Sequence, residues 1–296
     1  MTQVSPAPGS DEAAAVRASW RSLGLPGLID VHTHFMPDNV LRKVWAYFDA
    51  LGEGVWPITY RGTQDERVAL LRDFGVVRHT ALSYPHRTGM ARWLNDWAAD
   101  YAAHHPDCLR SATFYPEPDA KEYVAEAIGT GARVFKAHLQ VGAYDPRDPW
   151  LADVWGALAD SGTPVVVHCA SGPLPGPFTG PGPIAEVLRA HPDLTLVVAH
   201  AGAPEYTDFL DLAERHERVH LDTTMAFTAY TERHSPFPAA ELPRLRALGD
   251  RVLLGSDFPN IPYPYLDQIR ALEDLGLGPD WLRAVLYGNA ARLFEL

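Results

Sequence analysis

Cysteine is nearly missing from this chain: Cys108 and Cys169 are the only two in 296 residues. Two are too few for a disulfide framework, so a reducing, cytoplasmic setting is the simpler expectation. Basic charge is also scarce. With 25 Lys and Arg against 37 Asp and Glu the net charge is -12, and no nucleic-acid partner is expected without a basic face for the phosphates. No apolar run approaches the ~20 residues of a membrane span. Residues 1–20 (MTQVSPAPGSDEAAAVRASW) have neither the charged start nor the apolar centre of a signal peptide. Residues 1–25 read as a mobile polar arm. No G-x-G-x-x-G follows any apolar run, which removes the usual dinucleotide-binding signature.

What remains is an ordinary apolar fraction, 47%, arranged with a repeated beat. Short β-branched runs alternate with longer amphipathic stretches. The runs are Leu28–His34, His79–Tyr84, Leu109–Tyr115, Arg133–Val141, Pro164–Cys169, Leu194–His200, Val219–Thr223 and Val252–Asp257. Between them, Trp93–His104, Tyr123–Ile128, Trp150–Leu158, Ile184–Arg189, Tyr206–Arg215 and Pro243–Leu248 carry apolar residues at helical spacing. Strands alternating with helices predict a parallel sheet, and eight such units in ~250 residues predict an α/β fold of the (β/α)8 TIM-barrel type. Composition shows no linker, so one domain over residues 26–296 is expected. Two segments exceed a minimal barrel. Met36–Gly75 carries Trp45, Trp56 and Tyr60, and Ser171–Pro183 is nearly all Pro and Gly.

In such a barrel the chemistry gathers where strands end. Strand one ends in His32 and His34, strand four carries Lys136 and His138, strand five ends in His168, strand six in His200, and strand eight in Asp257. Side chains on a strand alternate with period two, so His32 and His34 face one point. Two imidazoles there bracket one divalent ion, and a third His with a carboxylate leaves a position open for water. Lys136 has three readings: a carbamylated bridge between two ions, a contact for a substrate anion, or a salt-bridge partner. His138 shares its face and stands behind the ligands or against the substrate. His86, with Arg87 beside it, follows strand two on the same rim. His104, His105, His191, His216, His220 and His234 fit solvated or capping roles, and Cys169, next to His168, fits packing.

Taken together, IDVHTHF, VVVHC, VVAHAG, LLGSDFP and the closing GNAARLF resemble the amidohydrolase superfamily, in its amidohydrolase-2 branch. That branch includes aminocarboxymuconate-semialdehyde decarboxylase and related metal-dependent hydrolases. The resemblance implies one divalent ion, zinc first, on His32, His34, His168 and Asp257. It implies His200 as general acid/base and Asp257 also as proton acceptor. A second ion with carbamylated Lys136 is the alternative. The expected activity is metal-assisted hydrolysis of a small amide, lactone or ester, with an anionic substrate met by Lys136, His138, His86 and Arg87 and walled by Trp45 and Trp56. Non-oxidative decarboxylation of a small aromatic acid is the alternative. A metal-free lactonase or an inactive barrel stands behind both. Trp281 and Tyr287, read as surface aromatics, allow a homodimer.

Overall fold

From residue 28 onward strands and helices alternate, and every strand runs parallel to its neighbours. The computed structural model describes residues 10–296. The strands are β1 (Leu28–Asp30), β2 (Val76–Thr80), β3 (Cys108–Leu109), β4 (Ser111–Thr113), β5 (Val134–His138), β6 (Val165–His168), β7 (Leu196–Val198), β8 (Val219–Asp222) and β9 (Val252–Leu253). β3 and β4 are one barrel strand interrupted at Arg110, so the nine pieces fill the eight expected positions. Their order is sequential, β1-β2-β3 and β4 through β9. Val31 N closes the ring by donating to Leu254 O at 2.9 Å. The six helical stretches expected from periodicity lie within or overlap helices of the structure.

Alternation divides the core in two. Val134, Val166, Val197 and Leu253 join Ile29 and Val31 in one cluster, which Ala290 of the helix Asn289–Leu293 and Phe294 just after it complete. Val165, Val167, Leu196, Val198 and Leu221 face the helices in the larger cluster. Lys136 and His138 keep the parity of Val134, and His168 that of Val166. The β5–β6 register sets His138 beside His168. On β1, Leu28 lies in the outer cluster and Asp30 meets Tyr265 of the helix Tyr265–Asp274. His32 turns to the barrel mouth instead, so the strand changes phase at Val31. Ser256 N and Asp257 N both reach the His32 carbonyl there, at 3.4 and 2.9 Å.

Two expectations need correction, and a third segment gains its structure here. Ser10–Ser22, placed within a mobile arm, is an α-helix that buries Ala13, Val16 and Trp20. Its alanine-rich sequence has good helix propensity, and its apolar residues recur at a helical interval. Residues 1–9 lie outside the described residues. Met36–Gly75, one of the segments that exceed a minimal barrel, is largely helical. It holds the helices Asp38–Ala50 and Gln64–Phe74, the second begun by a Thr63/Glu66 capping box and ended by left-handed Gly75. Trp281 is buried against Gly249 rather than exposed, which leaves only half-buried Tyr287 from the aromatic argument for a dimer. Among the described residues no helix is long and apolar enough to cross a membrane.

Two predictions follow from this packing. Trp20 is buried and its Nε1 donates to Phe74 O at 3.0 Å. Trp20→Ala should cost about 3–5 kcal/mol in urea unfolding, whereas a mobile arm would register no change. The second concerns His79 and His220, which burial pushes down to about 4. The folded chain leaves both neutral above that value, while the unfolded chain protonates them from 6.5 downward. The unfolded state then holds more protons, so stability is lost as the pH falls through that window. Urea midpoints of metal-free protein should decline below about pH 6.5; midpoints that stay level would contradict the assignment.

Candidate active site

Three of the expected ligands converge. One ligand atom each from His32, His34 and Asp257 lie within 4.8 Å of one another. The two rings meet edge to face at 5.1 Å, as the period of two requires. Asp257 Oδ1 lies 3.2 Å from His32 Nε2 and 2.9 Å from His34 Nε2. On its other side Asp257 Oδ2 faces His200 Nε2 at 4.0 Å. His168 stands outside this group of three. Its ring stacks on His138 at 4.0 Å and lies 4.7 Å from that of His200.

Hydrogen bonds on the far side of each ring decide what the near side offers. His32 Nδ1 meets Asp222 Oδ2 at 2.8 Å, His34 Nδ1 meets Leu82 O at 2.8 Å, and His200 Nδ1 meets Thr224 O at 3.1 Å. Carbonyl and carboxylate oxygens only accept, so each Nδ1 carries a proton and each ring turns its Nε2 inward. In His168 the roles exchange: Nε2 donates to Gly172 O at 2.8 Å and leaves Nδ1 bare. His32 Nε2, His34 Nε2 and Asp257 Oδ1 therefore meet at hydrogen-bond distance on the inner side of the site. Imidazole nitrogens that face inward beside one carboxylate are a donor set for a divalent cation. The residues fit a metal.

Burial keeps His32, His168 and His138 neutral. It pushes His32 down to about 4, helped by the charge of Lys136, and drives His168 and His138 well below the usual range. The carboxylates behave oppositely. Burial would raise Asp257, but His200, His32 and His34 hold it well below the ordinary range. Asp222 falls to about 2 against burial, through its contact with His32. Lys136 is fully buried, with Nζ 3.0 Å from His32 Nε2, and burial lowers it to about 8 despite Asp222 and Asp257.

Asp222 was not singled out from the sequence, although it lies in the seventh apolar run and ends β8. Its carboxylate accepts from His32 Nδ1, from His200 N at 2.9 Å and from Thr224 N at 3.0 Å. Scanning every strand end, not only those bearing histidine, would have found it. The backbone is also unusual here: His200 and Asp257 have φ of 58° and 70°, left-handed conformations that cluster at functional sites. Gly255 allows the close approach, since a Cβ there would lie 2.2 Å from Thr224 Oγ1 and 2.8 Å from His32 Cβ. Tyr84, also passed over, flanks His34 at 5.7 Å and His138 at 4.7 Å.

The remaining expected residues are scattered. His138 Nδ1 accepts from Val141 N at 3.3 Å and caps the short helix Leu139–Gly142. Trp45 Nε1 and Trp56 Nε1 donate to Asn260 Oδ1 and Asn260 O, at 2.9 and 2.7 Å. Asn260 N in turn donates to Asp257 O at 2.8 Å, so both indoles are tied to the loop that carries Asp257. His86 and Arg87 are exposed after β2, and their side chains pair with no described residue. Cys169 is buried in the core, where burial pushes its thiol up to about 12.

Asp222→Asn tests the orienting role of that carboxylate. An amide keeps the volume but has one accepting oxygen for three donors. Equilibrium dialysis with zinc should show an affinity lowered about 10–100-fold; undiminished binding would remove Asp222 from the orientation of His32.

The Amidohydrolase family model (amidohydrolase-2) matches residues 29–296. No curated protein matches the chain. Among solved structures, an uncharacterized TIM-barrel protein from Bordetella bronchiseptica is 20% identical, with 91% of this chain and 98% of that one covered and a TM-score of 0.69. The 5-carboxyvanillate decarboxylase LigW from Sphingomonas paucimobilis is 16% identical over 92% and 100%, with a TM-score of 0.65. A protein from Pseudomonas putida, provisionally assigned as a 2-pyrone-4,6-dicarboxylic acid hydrolase, is 16% identical over 92% and 98%, with a TM-score of 0.61. At these identities the likeness speaks for the barrel, and the family match speaks for the chemistry gathered at its mouth. This chain belongs to the amidohydrolase family and is a metal-dependent enzyme of the (β/α)8 barrel class.

Proposed function

We propose that the protein hydrolyses a small amide, lactone or ester with one zinc ion held by His32, His34, His168 and Asp257. The observation that carries this is the convergence of ligand atoms from His32, His34 and Asp257 within 4.8 Å, with the Nδ1 of both rings bonded to oxygens behind them. When bound, the ion supplies Lewis acidity, which polarises a carbonyl and acidifies water. Asp257 is held ionised and takes a proton from the attacking water. His200, whose Nε2 lies 4.0 Å from Asp257 Oδ2, relays the proton to the leaving group. The ammonium of Lys136 offers charge to an anionic substrate, with His138 beside it. Trp45 and Trp56 wall the pocket and His86 with Arg87 mark its outer rim.

Non-oxidative decarboxylation of a small aromatic acid is the second reading, and Lys136 favours it. A buried ammonium beside the ligand cluster holds a substrate carboxylate, and His200, once protonated, gives that proton to the ring carbon as the C–C bond breaks and CO2 leaves. The Sphingomonas paucimobilis relative carries such a reaction in its name.

Zinc-loaded enzyme should be assayed against small lactones, amides, esters and hydroxylated aromatic acids, with products identified. Hydrolysis of a member of the first three classes is expected. His200→Asn should lower kcat about 10²–10⁴-fold while metal content stays unchanged. Release of CO2 with no hydrolysis of any ester, lactone or amide would overturn the first reading in favour of the second.

A further inference from the structure

Behind the ligand cluster a line of polar groups runs from β1 to the N-terminal helix. Asp30 is fully buried, and its carboxylate accepts from His32 N at 3.1 Å, Ser256 Oγ at 2.6 Å and Tyr265 Oη at 3.0 Å. Ser256 Oγ in turn accepts from Phe258 N at 3.0 Å. Asp30 thus grips the backbone of one ligand and both flanks of another. The residue between those flanks is Asp257, whose φ of 70° persists only where its surroundings over-determine it.

Tyr265 is the link outward. It opens the helix Tyr265–Asp274, and its backbone N donates to Tyr60 Oη at 2.5 Å. Tyr60 Oη donates to Glu12 Oε1 at 2.5 Å, and the same oxygen accepts from Leu266 N at 3.2 Å. A carboxylate from the N-terminal helix therefore caps the positive end of the helix that carries Tyr265. Each member of the line is held by the next, and none has a solvent-exposed side chain in the stretch from Tyr60 to Asp30.

We propose that Glu12, Tyr60, Tyr265 and Asp30 form a brace that sets the placement of His32 and Asp257, so that the N-terminal helix tunes metal affinity. Asp30 and Tyr265 are positioning residues: they touch neither the ion nor the substrate. The inference rests on the metal reading given above. A role confined to packing would lower thermal stability and leave the metal site unchanged, so the two are separable by what the metal reports.

The test uses the full chain, stripped with a chelator and titrated with zinc in competition with a chromophoric chelator. Cobalt absorption reports ligand geometry in parallel. Tyr265→Phe and Asp30→Asn should weaken zinc binding about 10–100-fold and alter the cobalt bands, with Glu12→Gln giving a smaller loss of about threefold. Tyr265→Phe removes one oxygen and keeps the ring, so it carries the test if Asp30→Asn does not fold. Variants that bind zinc within about twofold of the parent with unchanged cobalt spectra, even at lower Tm, overturn the brace alone. A parent protein that takes up neither ion overturns the metal reading and the brace with it.

Discussion

The seam between β1 and β9 is the contact on which the site depends. Val31 N bonds Leu254 O, the His32 carbonyl receives Ser256 N and Asp257 N, and His34 N donates to Phe258 O at 2.7 Å. These bonds close the barrel and, in the same few residues, bring the His-x-His pair against the carboxylate from the last strand. A ligand set drawn from the first and last strands exists only while the ring is closed. Barrel stability and metal geometry are therefore one problem at this seam.

Charge is distributed around it by opposite responses to burial. Taking an imidazole out of water favours its neutral form, which is the form that offers a lone pair. Taking a carboxylate out of water would neutralise it too, but here the imidazoles around Asp257 and the His32 contact of Asp222 keep both ionised. Burial thus leaves His32 and His168 neutral, while the contacts of Asp257 and Asp222 hold those carboxylates ionised. The far-side bonds to Asp222, Leu82 O and Thr224 O complete the arrangement by setting which nitrogen faces inward.

Most of the fold was legible because both of its signals are local. Each apolar run became a strand, and Tyr206–Arg215 became a helix with the same bounds. The N-terminal helix was missed because it depends on a groove between the helices Gln64–Phe74 and Tyr265–Asp274, far along the chain. Trp281 was misplaced for a related reason: spacing says that a helix has an apolar side, not whether another element covers it. Asp222 escaped notice because its position at a strand end was the only signal it carried, and its role is set by a histidine 190 residues away.

The sequence by itself determined the order of strands and helices, the placing of histidines and Asp257 at strand ends, and the shared direction of His32 and His34. Those follow from periods of two and 3.6 residues, which any short stretch expresses without its partners. Only the tertiary structure decided that His32, His34 and Asp257 form the close cluster while His168 stacks against His138, and which nitrogen of each ring is bare. Distances between strands and the partner of a ring nitrogen are set when the barrel closes, by contacts among residues that sequence separation keeps independent until then.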